Sequence, residues 1–589
     1  MKPHYLSIAI PLLFTAAGAS LDARAAGPLT FVNETSQRID ALHDSAYRFD
    51  AVFVDFNSDG CQDAFILSHS DLGATSRLWN NRCDGSGSFQ YVPNDEARYF
   101  IDGQPIMSGW VTRLDFNGDG KQDFWGRPGG FVMSARYVND STGGSFMPHF
   151  ARKENGCVGY CAFADFTGGG NLEVVNERRV VSNMAGAELR PASGDNAYQV
   201  VGDVTGNGWP DIVQPANGGY WRNDGGTLTW VDVPAFSGGR SMQILLADFD
   251  NDGDLDLFLL DGPKFSNSTQ GLLYRNNGSG GFTDVSAGSG LADVAASDYG
   301  NIIAADFDND GQQDLLVAGV SDSVRLYRNN GNMTFTASTA TSFGPASGEG
   351  PDGWQSAKPR ADVADFDNDG RLDIIKTQFP SNIGLWRNTV DTEGNRWMKV
   401  RVRGGGGNSD GVGASVRWYR PGTSQLVSHL DVAVGEQHPQ THLHTGLAGY
   451  QTVDLEVRFP NGGPVHRFPN VASNQEVIVY RNGCMLTGWR PGNGWPLQPP
   501  TNCALATSPR PMNGARPLLP PAAPQPSVGA SAEAPAIAAT ATGAGGTQPP
   551  EPAQGKGAAA ERVLWITPRA LLWWRGFRAW LRTVEDRWE

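Results

Sequence analysis

The sequence predicts an all-β protein: a seven-bladed β-propeller followed by a small β-sandwich, a disordered Pro/Ala linker and a C-terminal amphipathic helix. Three observations predict it. A nine-residue acidic pattern recurs seven times in the first two thirds of the 589 residues. Short β-prone runs flank the copies. The composition then changes twice, near residue 395 and again near 505.

Residues 1–25 read as an export signal. Lys2 supplies the positive start, Leu6 to Ala19 is apolar but short for a membrane span, and Ala23-Arg24-Ala25 has the small-x-small form of a cleavage site. The expected location is secreted, periplasmic or cell-surface. Six Cys follow, an even number that suggests disulfides in such a compartment. Pairing of neighbours is simplest: Cys61–Cys83, Cys157–Cys161 and Cys484–Cys503.

The propeller is expected over 26–390. The acidic pattern begins at Asp55, Asp115, Asp165, Asp203, Asp248, Asp306 and Asp365, at spacings of 60, 50, 38, 45, 58 and 59 residues. Repeats of this length point to propellers or solenoids. Runs such as MQILLADF precede the pattern and runs such as DLFLLD follow it, so each copy is a loop between two strands. A second string recurs downstream: LWNN at 78, YWRNDGG at 220, LYRNNGSGGF at 273, LYRNNGNMTF at 326 and LWRNT at 385. Its turn adds two more strands, giving four per unit. The seventh unit stops early, and a similar segment, LTFVNETS (29–36), stands before the first. The N-terminal strand is therefore expected to complete the last blade and join the two ends.

The loops carry cation chemistry. In Asp-x-Asp/Asn-x-Asp/Asn-Gly-x-x-Asp, positions 1, 3, 5 and 9 offer side-chain oxygens and position 7 its backbone carbonyl. Ca²⁺ favours six to eight hard oxygens in a flexible shell, whereas Mg²⁺ favours a tight octahedron with its own waters. The candidate ligands are Asp55, Asn57, Asp59, Cys61 and Asp63 in the first repeat, and Asp115, Asn117, Asp119, Lys121 and Asp123 in the second. The fourth offers Asp203, Thr205, Asn207, Trp209 and Asp211. The fifth has Asp248, Asp250, Asp252, Asp254 and Asp256; the sixth, Asp306, Asp308, Asp310, Gln312 and Asp314; the seventh, Asp365, Asp367, Asp369, Arg371 and Asp373. The third has Thr167 and Gly169 at positions 3 and 5 and is expected to hold no ion. Two carboxylates about 4 Å apart repel by roughly 4 kcal/mol at an effective dielectric near 20, so four on one loop demand a cation. About five to six structural Ca²⁺ are expected.

The net charge of −16 follows from these loops: without the 22 acids at positions 1, 3, 5 and 9 it would be +6. Nucleic-acid binding, which needs a basic surface, is excluded.

The DFDNDG strings resemble the FG-GAP or VCBS-type repeats of integrin-α-like propellers. That resemblance implies calcium-braced blades and extracellular recognition, without implying one ligand. Residues 395–481 alternate as strands with Gly and Pro turns, as in NRWMKVRVRG, GASVRWYRPG, VDLEVRFPNG and QEVIVYRNG. The strings NRWMKVRV, NSDGVGASV, VDLEVRFPNG and NVASNQEVIVY resemble the ASPIC/UnbV domain, and the two regions together resemble the cartilage acidic protein family. Where that family has a compact His-Phe-Gly-Leu-Gly string, this chain reads His442-Leu443-His444-Thr445-Gly446-Leu447-Ala448-Gly449.

His429, His438, His442, His444 and His466 crowd this region. A transition-metal site is one reading. Surface histidines on a polar loop are the favoured one, because no Cys or carboxylate stands at ligand spacing. A disulfide-closed extension (482–504) follows. From 505 to 560, 27 of 56 residues are Pro or Ala, the composition of an extended spacer. In 561–589, Leu571, Trp574, Phe577, Leu581, Val584 and Trp588 recur at helical spacing beside Arg575, Arg578 and Arg582. Such a helix suits a membrane surface, a partner groove or the protein's own propeller.

No nucleophile elbow, zinc-protease motif or phosphate loop is present. The sequence therefore favours a recognition or adhesion module for an extracellular glycan or protein. The alternative is a polysaccharide hydrolase or lyase that uses a propeller face.

Overall fold

The computed structural model describes residues 28–505 apart from internal segments, the longest being 344–359. The signal segment 1–25, the spacer beyond 505, the helix 561–589 and the Cys157–Cys161 pairing lie outside the described residues. Among the described residues the chain is nearly all strand; Thr35–Arg38 is helical, and Pro215–Asn217 forms a 3₁₀ turn.

Each acidic repeat belongs to one four-stranded antiparallel sheet, giving seven such sheets. Sheet five shows the plan: Ser241–Ala247, Asp256–Asp261, Gln270–Asn276 and Phe282–Asp284, each paired with the next. The acidic loop joins the first strand to the second. Position 9 opens the second strand in all seven sheets, at Asp63, Asp123, Glu173, Asp211, Asp256, Asp314 and Asp373. Sheet seven takes its fourth strand from the other end of the chain: Phe31–Asn33 pairs with Asn382–Asn388.

Successive sheets are joined by one recurring device. The Asn at the fourth place of the downstream string is buried and bridges two loops. Asn276 Nδ2 donates to Leu255 O of its own loop (3.0 Å) and to Val204 O of repeat four (2.9 Å). Asn223 reaches Phe166 O at 3.0 Å, Asn329 reaches Phe249 O at 2.9 Å and Asn388 reaches Phe307 O at 2.8 Å. Asn81 of sheet one donates to Phe366 O of repeat seven at 2.8 Å, linking the first sheet to the last. Aromatic contacts continue the series, Phe56 with Phe124 at 5.3 Å between sheets one and two and Phe116 with Phe163 at 5.2 Å between two and three. Each bridging amide satisfies carbonyls that burial removes from water, and such unmet groups cost about 1–3 kcal/mol each.

All four strand-like strings of 395–481 are strands: Trp397–Arg403, Ser415–Tyr419, Thr452–Arg458 and Gln475–Tyr480. They lie in two sheets of five and four strands, with Trp397–Arg403 parallel to Gln475–Tyr480. Met398, Val400, Val416, Trp418, Leu455 and Val477 fill the space between and are almost fully buried. The disulfides Cys61–Cys83 and Cys484–Cys503 are formed.

Candidate metal centres

The acidic loops fold on their own carboxylates. The position-1 carboxylate accepts the position-6 glycine amide in every repeat: Gly60, Gly120, Gly170, Gly208, Gly253, Gly311 and Gly370 donate at 2.7–2.9 Å. Position 9 accepts the amide of position 2, as in Phe249 N to Asp256 Oδ2 at 3.0 Å and Phe307 N to Asp314 Oδ2 at 3.0 Å. Its other oxygen takes the backbone amide of the bridging Asn, for example Asn388 N to Asp373 Oδ1 at 2.7 Å.

In repeats five, six and seven, positions 1, 3 and 9 converge. Asp248, Asp250 and Asp256 bring one oxygen each within 4.8 Å of the others, as do Asp306, Asp308 and Asp314, and Asp365, Asp367 and Asp373. Asp250 Oδ1 and Asp367 Oδ1 are buried without a hydrogen-bond partner. Burial, reinforced by neighbouring carboxylates, pushes Asp256 up to about 9, and Asp250 and Asp369 up to about 6. Asp306, Asp314 and Asp373 are raised well above the usual carboxylate range for the same reasons. Three converging hard oxygens, crowded and desolvated, fit a divalent cation with oxygen preference.

Position 5 stands apart from these groups. One oxygen of Asp252, Asp310 and Asp369 accepts the position-7 amide of Asp254, Gln312 and Arg371, at 3.1, 2.8 and 3.0 Å. The same turn forms in repeats one, two and four, where Cys61, Lys121 and Trp209 donate to Asp59, Asp119 and Asn207.

No comparable trio of acids forms in repeats one, two or four among the described residues. Asn57 Nδ2 turns to Asp59 and Asn80, while Asp55 and Asp63 remain buried beneath it. Asn117 lies outside the described residues; Asp115, Asp119 and Asp123 are in place. Thr205 Oγ1 donates to Asp211 at 3.1 Å, and Asn207 Nδ2 donates to Asn223 O, so repeat four offers two carboxylates, Asp203 and Asp211. In repeat three, Glu173 does the work of position 9, accepting from Phe166 N at 2.6 Å and Thr167 Oγ1 at 2.7 Å. Asp59 lies near Cys61 and Cys83, but both sulfurs are spent in their disulfide.

The histidines correct the sequence-based expectation. They are not a surface cluster, and no metal-holding group includes them among the described residues. His429 and His444 are buried and His442 is half-buried against the repeat loops. His429 Nδ1 lies 3.3 Å from Asp248 Oδ2, His442 Nδ1 lies 3.1 Å from Gln62 Nε2, and His444 Nε2 lies 3.1 Å from Gly370 O. Burial holds His444 down at about 4, so it is neutral at physiological pH. His466 is half-buried and bonds Arg481 O; His438 lies outside the described residues.

The second domain touches all seven loops. Its further contacts are Asp410 Oδ2 with Asp115 N (2.8 Å), Asn461 with Asp165 O (2.9 Å) and Gly208 O (2.8 Å), and Arg417 with Gly253 O (2.9 Å). Gly446 N donates to Asp306 Oδ2 at 2.8 Å, and Lys399 Nζ lies 2.8 Å from Asp365 Oδ2. The divergent His442–Gly449 string is thus partly a strand, His442–Gly446, whose end rests on repeat six. Gly370 sits at φ +89, and a methyl there would meet Trp397 Nε1 at 1.8 Å. Gly370→Ala is therefore expected to cost about 2 kcal/mol or more, measured as a lowered melting temperature in calcium.

Comparison with known proteins agrees with these two regions. The chain carries FG-GAP-like repeats at 203–259, 265–317 and 306–376, and an ASPIC and UnbV domain at 404–483. It is 28% identical over 312 residues to cartilage acidic protein 1 of Xenopus tropicalis, a match covering 48% of this chain and 44% of that protein. The Homo sapiens protein of the same name matches at 28% over 322 residues, covering 48% and 43%. The chain thus spans under half the length of these relatives. The crystal structure of the V. cholerae biofilm matrix protein Bap1 matches with a TM-score of 0.30 and 14% identity, covering 79% of this chain and 76% of that one, a likeness too distant to bear on fold or ligand.

Proposed function

We propose that this chain, with its FG-GAP-like repeats and ASPIC and UnbV domain, is an exported recognition or adhesion module: a closed seven-bladed β-propeller, braced by Ca²⁺, that binds an extracellular glycan or protein. One observation carries the closed ring. Asn81 on Phe366 O ties the first sheet to the last through the same device that joins sheets three to seven, and the Phe31–Asn33 strand, which precedes sheet one in the chain, completes sheet seven. The blades occupy 26–390 and the sandwich 395–481, with 482–504 as a disulfide-closed extension; signal, spacer and terminal helix flank them. Two disulfides suit an oxidising compartment. No helix among the described residues is long and apolar enough to cross a membrane.

Calcium would be held by the carboxylates at positions 1, 3 and 9 of repeats five to seven, with position 5 and the position-7 carbonyl completing the set. Its contribution is structural: it neutralises crowded acids and fixes the loops between strands one and two. The Asp/Asn loops of repeats one, two and four are the weaker candidates.

Incubating the calcium-loaded protein with panels of extracellular polysaccharides and matrix proteins tests the function. Retention without new reducing ends or unsaturated products is the expected outcome. Turnover would replace the proposal with the hydrolase or lyase alternative, and absence of both would reject recognition of these classes.

A further inference from the structure

Repeats five, six and seven share the string DFDNDG, yet the second domain puts a different donor on each leading aspartate. Asp248 receives the imidazole of His429, Asp306 the amide of Gly446, and Asp365 the ammonium of Lys399. Cations of the repeat sheets also lie on the loops. Arg275 is 2.7 Å from Asp250 and Arg328 is 2.5 Å from Asp308. Both project from their own sheet. The matching Arg387 of repeat seven is diverted to Glu34 at 3.0 Å. Arg38 stands 3.9 Å from Asp367, and Arg371 pairs with Asp369.

Lys399 is held differently. It lies within the strand Trp397–Arg403, and its side chain is only 15% exposed. Nζ also donates to Asn368 Oδ1 of the same loop at 3.2 Å and sits 5.6 Å from the Trp397 ring. It reaches Asp365 from the second domain and not from the loop's own sheet.

We infer that the second domain sets the cation affinity of the seventh loop through Lys399, a built-in counter-charge that competes with Ca²⁺ for Asp365. The inference rests on the calcium reading of these loops. A fixed ammonium and a bound cation on one carboxylate repel, so domain docking and occupancy of the seventh loop oppose one another. By linkage, Ca²⁺ there loosens this contact as much as the contact weakens Ca²⁺. Repeat six, where the second domain offers Asp306 only the neutral amide of Gly446, carries no such counter-charge.

Calcium titration of the chelator-stripped full chain by calorimetry tests it. Lys399→Met is expected to bind the same number of ions with one site tightened by about 10-fold or more. Lys399→Gln, a neutral side chain that keeps a hydrogen-bond donor, should do the same, which guards against a folding defect in the first variant. Lys399→Arg and His466→Gln should match the unaltered protein. Unchanged or weaker binding in both neutral variants overturns the role of Lys399 and leaves the calcium reading standing. Fewer than three ions in the unaltered protein overturns the calcium reading and this inference with it.

Discussion

Stripping calcium with a chelator is expected to lower the melting temperature by about 10 °C or more. At a free concentration 100 times the dissociation constant, one site stabilises the folded state by about 2.7 kcal/mol, so three such loops contribute about 8 kcal/mol. For domains of 150–250 residues each kcal/mol moves the transition by about 2–4 °C, and for a larger domain somewhat less. The force behind the loss is the crowding around Asp256, Asp314 and Asp373, which are buried beside like charges. Scanning calorimetry with and without chelator, paired with a metal count, provides the check. About five to six ions per chain are expected, three of them tight. An unmoved transition together with fewer than three ions would remove calcium from the account.

The second large effect concerns the bridging asparagines. Asn388→Ala is expected to destabilise the calcium-loaded protein by about 3 kcal/mol or more. Asn388 is fully buried. Its side chain donates to Phe307 O at 2.8 Å and Leu372 O at 3.0 Å, and accepts from Val390 N at 2.9 Å. Alanine leaves two carbonyls and one amide without partners and without water. Asn388→Asp should do no better, because it sets a carboxylate against two carbonyl oxygens. Asn81→Ala, at the junction of first and last sheets, should behave alike. Asn330→Ala, on the exposed turn next to the bridging Asn329, should stay within about 0.5 kcal/mol of the parent. Thermal unfolding of the four variants would decide it; equal, small losses at buried and exposed positions would show that the bridges contribute nothing.

Much of the architecture was legible because its causes are local. A loop that folds by accepting amides five and seven residues away carries its instructions inside nine residues. The repeat, the strands on either side and the acids of positions 1, 3 and 9 could therefore be read in order. The unpaired strand string at 29–36 likewise announced the missing strand of sheet seven. The bridging Asn was visible only as the fourth letter of LWNN, YWRN, LYRN and LWRN. It could be read as a turn marker but not as a link, since the carbonyl that Asn81 meets is 285 residues away. The histidines misled for a related reason: their polarity suggested a wet loop, whereas contact with the repeats buries His429 and His444.

By itself, then, the order of residues determined the sevenfold repeat, the all-β character and the acidic loops, since each arises from pairings within one short stretch of chain. The folded arrangement alone decided which sheet follows which, how the second domain rests on the loops and why Lys399 meets Asp365. Those depend on where distant segments are carried, and hydrogen bonds and charges act over a few ångströms of space, whatever the distance along the chain.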